Sequence, residues 1–110
     1  MISFGEWQKL DIRIGKIVHA EKAEGTERLM KMQVDFGDGG KRQIVASIAE
    51  FYKPEDLVDK ECPFLFNLEP KKFMGHESQG MILAVDVGGD RSDCVLLHPN
   101  KDVKPGARVV

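Results

Sequence analysis

Lys71 and Lys72, preceded by Asn67 and followed by His76, Ser78 and Gln79, put two cations and several hydrogen-bonding side chains into the single stretch Asn67–Leu83. Gly75 and Gly80 interrupt it and let the backbone turn tightly or approach a ligand closely. Such a set grips an anion; it does not transfer a group. Ser78 and His76 lack the strand-to-helix elbow that exposes a nucleophilic serine. Glu69 and Glu77 read as solvated surface, and Glu55 and Asp56 as acids complementing a helix N-terminus. His19, His76 and His98 have no histidine four residues away, and Cys62 and Cys94 are far apart with no CxxC, so the usual metal-ligand spacing is missing. The expectation is a non-catalytic binding site without metal or cofactor. On spacing alone the stretch is equally a solvated hairpin connection that carries lysines.

The elements that position this stretch are short. Ser3 and Glu6 form a capping-box pair, and Phe4, Trp7 and Leu10 recur at helical spacing, which predicts a helix over residues 3–9 whose aromatic side packs on the body of the domain or on a second copy. Leu10, Ile12 and Ile14 alternate with Asp11 and Arg13 until Ile17 breaks parity just past Gly15. This predicts a long bent first strand over about residues 10–20 with a bulge at the glycine. A charged loop, 21–27, follows. Met30, Met32, Val34 and Phe36 give a second half-buried strand that ends in the turn Gly37–Gly40, and residues 41–48 give a third. Pro54, Glu55 and Asp56 start a short helix ending near Val58. Further strands are expected over Cys62–Leu68, Met81–Val87 and Cys94–Leu97, with a turn at Lys104–Gly106. This is the layout of an all-β OB-fold, a five-stranded Greek-key barrel with a short helix between strands three and four and extra short terminal elements. Strand count alone also admits a sandwich.

The chain of 110 residues is one domain, 1–110, with 16 basic and 18 acidic residues and a net charge of −2. No global positive field draws it to nucleic acid, so any such binding rests on a local patch. Arg13, Lys31, Lys41, Arg42, Lys71 and Lys72 fall on outward or loop positions that an OB barrel brings to one face; dispersal among neighbouring acids is the competing outcome. The N-terminus lacks the pattern of a signal peptide and no apolar run is long enough to span a membrane, so a cytoplasmic location with both thiols buried and reduced is expected.

The segments LDIRIGKIV at Leu10–Val18, VDFG at Val34–Gly37, RQIVASIAEFYKPEDL at Arg42–Leu57 and NLEPKKFMGHESQGMILA at Asn67–Ala84 together resemble the tRNA-binding domain family. That family includes free-standing tRNA-binding proteins, a domain appended to methionyl-tRNA synthetases, and a secretion-related chaperone. The resemblance implies an OB-fold, commonly a homodimer when free-standing, that recognises the shape of the tRNA elbow and serves methionyl-tRNA synthetase as an auxiliary subunit or partner. It implies RNA contact by Asn67, Lys72, Ser78 and Met81, with Arg42 beside them and Lys71 as a looser match. The family's usual His-Pro-x-Ala-Asp-Lys-Leu loop is rewritten here around Glu24–Leu29, which leaves that loop without an implied role. Ala46-Ser47 replaces the usual Ser/Ala-Gly. A chaperone-like peptide-binding dimer and a synthetase-docking scaffold are the alternatives; Arg42–Val45 and Gly75–Met81, from which the chaperone departs, are retained and favour RNA.

Overall fold

The computed structural model describes all residues, Met1–Val110. A short helix α1 (Phe4–Gln8) opens the chain, with Ser3 Oγ accepting the Glu6 N–H and Glu6 Oε1 accepting the Ser3 N–H, both at 3.1 Å. The capping box therefore forms as expected. No residue of α1 is fully buried: Phe4 is 71% exposed, while Trp7 is half-buried in a groove with Leu10 and Val109, so only part of the aromatic side packs on the body of the domain.

Strand β1 (Ile12–Lys22) is the axis of the fold. Its first half pairs antiparallel with β4 (Glu61–Leu65), Gly15 opposite Cys62, and also with β10 (Arg108–Val109). Its second half pairs with β2 (Met30–Asp35), Ala20 opposite Met32. β2 continues into β3 (Lys41–Ala46) through the glycine turn, and β4 pairs with β7 (Met81–Ile82), giving the curled order β3-β2-β1-β4-β7. Helix α2 (Pro54–Leu57) lies between β3 and β4, where the sequence pattern predicts it. The result is an OB-like barrel. Met30, Met32 and Val34 fill its interior from β2, and Ile17, Ile44, Phe36 and Phe64 join them, all at most 1% exposed. Phe36 meets Phe64 and Phe66 edge to face at 5.4 and 5.1 Å, which favours the arrangement by about 1 kcal/mol per pair beyond burial.

Three sequence expectations change in detail. The bulge of β1 is not at Gly15: the register shifts between Ile17 and His19, and Arg13, Gly15 and Ile17 share the barrel-facing side. Ile12 and Ile14 are buried on the opposite side, so apolar residues on both faces imitate a parity break. Gly15 is required for close approach instead, since a Cβ there would stand 2.5 Å from Val34 Cγ1 and 2.7 Å from Phe36 Cε1. The stretch after β4 is not one loop but carries a hairpin, β5 (Lys71–Phe73) and β6 (His76–Ser78). Finally, the strand expected over Met81–Val87 divides at Leu83. Its second part, β8 (Ala84–Val87), leaves the barrel and pairs with β9 (Asp93–Leu96) in a separate two-stranded sheet.

Candidate nucleic-acid interface

The β5–β6 hairpin is held against the barrel by polar contacts to β3. Gln79 donates its N–H to Gln43 O at 2.8 Å, and its Oε1 accepts the Gln43 N–H at 3.0 Å. Gln43 Nε2 reaches Glu77 O at 2.8 Å and Gln33 Nε2 reaches Gln43 Oε1 at 3.0 Å. Ser78 is 2% exposed; its Oγ accepts the Val45 N–H at 2.9 Å and donates to Gly80 O at 2.8 Å. These bonds close the barrel between β3 and β7, because β3 meets the β6–β7 connection where a regular ladder would otherwise run. Gly80 makes the approach possible, since a Cβ there would lie 2.8 Å from Leu65 O.

Arg42 joins both ends of the excursion. Its Nη1 donates to Phe66 O at the end of β4 and, at 3.3 Å, to Gln79 O beyond β6. Its guanidinium stacks on the Phe66 ring, 3.5 Å from the centroid, and that of Arg13 stacks on the same ring at 3.9 Å. Asp11 steadies this cluster: its carboxylate takes Nε and Nη2 of Arg13 at 3.0 and 2.9 Å, and Arg108 Nε lies 3.8 Å away. The bond from Arg13 and then the surrounding guanidinium charges hold the Asp11 carboxyl below its ordinary range, with partial burial opposing them. Arg13 is raised in turn by Asp11, whereas burial, helped by the Arg13 charge, pulls Arg42 down from the usual guanidinium value. Three arginines meet one aspartate in this cluster.

Asn67 ties the same rim to the N-terminal segment. Its Oδ1 accepts the Asp11 N–H at 2.9 Å, and its Nδ2 donates to Lys9 O at 2.7 Å. Lys71 and Lys72 stand exposed on β5 with no carboxylate within ion-pair distance; Lys71 pairs in register with Ser78, and Met81 is 46% exposed just beyond. Lys41 is exposed at the start of β3. Lys31 does not join them: it faces Glu21 across the β1–β2 ladder, with Nζ 3.8 Å from Oε1.

The sequence-derived site residues thus divide by geometry. Lys71, Lys72 and Met81 offer side chains to solvent, while Arg42, Asn67 and Ser78 have theirs engaged with backbone groups. Phe66 and Gln43, which residue type and spacing did not single out, organise the rim together with Gln79, whose type already marked it as a hydrogen-bonding side chain. The chemistry available is anion binding and stacking; no group of His, Cys, Asp or Glu is arranged to hold a metal ion. Cys62 is buried and pushed up to about 12 by that burial, so its thiol is not a nucleophile at neutral pH.

A family model described as a putative tRNA binding domain matches residues 12–108. Methionine–tRNA ligase of Archaeoglobus fulgidus is 52% identical over 108 residues, which are 98% of this chain and 16% of that protein. The chain therefore spans about a sixth of the length of the ligases it matches. Among solved structures, a protein of Pyrococcus horikoshii related to methionyl-tRNA synthetase superposes with a TM-score of 0.92 at 37% identity, covering 100% of this chain and 98% of the other. The chaperone CsaA of Bacillus anthracis superposes with a TM-score of 0.87 at 33% identity, covering 100% and 99%.

Proposed function

From the premise that the chain belongs to the family of tRNA-binding domains, whose model takes in nearly all of it, we propose that it binds tRNA by shape, with little sequence preference, and catalyses nothing. Lys71 and Lys72 neutralise backbone phosphates and Met81 packs against sugar or base. Arg42, Asn67 and Ser78 act one step back, holding the hairpin and its flanks in place. The observation that carries this reading is the pair of unpaired, exposed lysines on a hairpin pinned at both ends. A-form RNA hides its base edges in a deep groove, so a protein accepting many tRNAs reads backbone path and 2′-hydroxyls, for which cations on a rigid edge suffice.

Few phosphate contacts give modest affinity, and a second binding edge or a tethered synthetase raises it through effective concentration. The domain accordingly works as a homodimer in the cytoplasm, alongside methionyl-tRNA synthetase. The dimer face is the groove of about 380 Å³ lined by Phe4, Trp7, Leu10, Val109 and Val110, of which Phe4, Leu10 and Val110 are exposed. No helix of the chain is long and apolar enough to cross a membrane.

A peptide-binding role like that suggested by the chaperone's name is the second reading, favoured by full-length superposition on that protein. Retention of tRNA on the immobilised protein, with an unfolded polypeptide as competitor, separates the two. Retention that resists the polypeptide and disappears in a Lys71→Ala, Lys72→Ala double variant supports tRNA binding. Displacement by the polypeptide, or retention unaffected by both substitutions, overturns it.

A further inference from the structure

We propose that the apolar pocket beside the hairpin receives one unstacked nucleobase of the bound RNA, its donor edge against Asp86 or Asp93 and its phosphate on Lys71. This rests on the tRNA-binding reading and adds to it a base-recognition site. The pocket, about 330 Å³, lies between β3, the β5–β6 hairpin and the β8–β9 sheet, at the lower end of the range for small-ligand sites. Val45, Phe73 and Met81 supply apolar wall, and Asp86, Arg91 and Asp93 supply the polar groups.

Three observations select a nucleotide as occupant. Phe73 belongs to the pocket, and Lys71 Nζ stands 5.1 Å from its ring centroid, so a cation for phosphate and an aromatic face for a base sit side by side. Met81, exposed and assigned above to RNA contact, is also a pocket wall, which joins the pocket to the proposed interface. Asp86 Oδ1 accepts the Arg91 N–H at 2.8 Å and Asp93 Oδ1 accepts the Cys94 N–H at 2.8 Å, so each carboxylate is oriented by backbone while its second oxygen makes no hydrogen bond. Arg91 is fixed in turn by Nη2 donating to Ser47 O at 3.3 Å. An apolar peptide side chain would leave these acceptors unused. A base with N–H groups on its edge would not, and guanine, with ring N–H and exocyclic amine adjacent, brings two neighbouring donors to a carboxylate whose second oxygen is free. The order expected is guanine first, adenine and cytosine next through their amines, and uracil last.

The test is titration of the protein with GMP, AMP, CMP and UMP, followed by amide shifts of Phe73, Met81 and Asp93, with tRNA binding measured in parallel. Millimolar GMP is expected to move these amides and to bind several-fold more tightly than UMP. Asp86→Asn with Asp93→Asn, which keeps the backbone-accepting oxygens, erases that preference. Phe73→Ala weakens GMP by about tenfold; should that variant unfold, the aspartate pair alone decides. Silent pocket amides while tRNA still binds through Lys71 and Lys72 overturn the pocket and leave the tRNA reading standing. GMP in the pocket of a protein that fails to bind tRNA overturns that reading and not the pocket. A response to apolar peptide and to no mononucleotide assigns the pocket to a protein partner and overturns the inference.

Discussion

Replacing Arg42 by methionine keeps most of the apolar stem and removes the guanidinium. Two hydrogen bonds disappear, to Phe66 O and Gln79 O, together with the stack on Phe66 at 3.5 Å. A bond from a charged donor to a partly buried carbonyl contributes about 1.5 kcal/mol and the stack about 0.5–1 kcal/mol. Relief of the Arg13–Arg42 repulsion and of Arg42 desolvation offsets part of this, since both already depress the Arg42 pKa. A net loss of about 2 kcal/mol falls on the segment between Phe66 and Gln79, which is what those bonds hold. In local-opening terms this is roughly a thirtyfold rise in exchange rate. Hydrogen exchange read at the amides of β5 and β6 is therefore expected to accelerate by that factor, while β1 and β2 change far less. The tRNA affinity drops, yet the dependence of log affinity on log salt keeps nearly its original slope, because no phosphate contact has been removed. Lys72→Met behaves oppositely, with slow hairpin exchange preserved and the slope shallower by about 0.7–0.9. The reasoning is refuted if Arg42→Met lowers the slope as Lys72→Met does and leaves hairpin exchange untouched.

Other substitutions probe the supports of the same rim. Ser78→Ala strands the buried Val45 N–H and Gly80 O, and urea unfolding should show a loss of about 1–3 kcal/mol. Gly15→Ala drives a methyl into Val34 and Phe36, and a similar loss of about 1–3 kcal/mol is expected from overpacking. Asp11 has a depressed folded-state pKa, so the stability it contributes is present above the unfolded value of about 3.9 and is lost as pH falls through the lower folded value. Acid unfolding followed by circular dichroism should accordingly show wild type losing this part of its stability only as pH falls below about 3.9, while Asp11→Asn starts less stable and lacks that pH-dependent component.

Periodicity in the sequence reveals β2 because it buries one face and alternates cleanly, Met30, Met32 and Val34 against Lys31, Gln33 and Asp35, whereas β3 buries the consecutive residues Ile44 and Val45 and shows itself as an apolar run. It misleads at β1, where Ile12 and Ile14 are buried on one side and Gly15 and Ile17 on the other, so that neither face looks polar. The β5–β6 hairpin escapes notice because three residues per strand, Lys71–Phe73 and His76–Ser78, are too few to establish a period. At the site, residue type announces Arg42, Asn67 and Ser78 as polar, but apart from the Ser78 bond to Gly80 O their partners are backbone atoms between 24 and 58 residues away, and one sequence carries no mark of such pairing. Phe66 reads as one more apolar residue in a run; its position between strand end and rim is a property of the closed barrel. The exposure of Lys71, Lys72 and Met81 is legible because solvent-facing side chains need no distant partner to define them.

Whether an acidic domain holds folded RNA through a few cations is decided by titrating tRNA at several salt concentrations. Saturable binding whose log–log slope lies at about −2 to −4 is expected from a handful of neutralised phosphates, and a flat salt response, or no saturable binding, would contradict it.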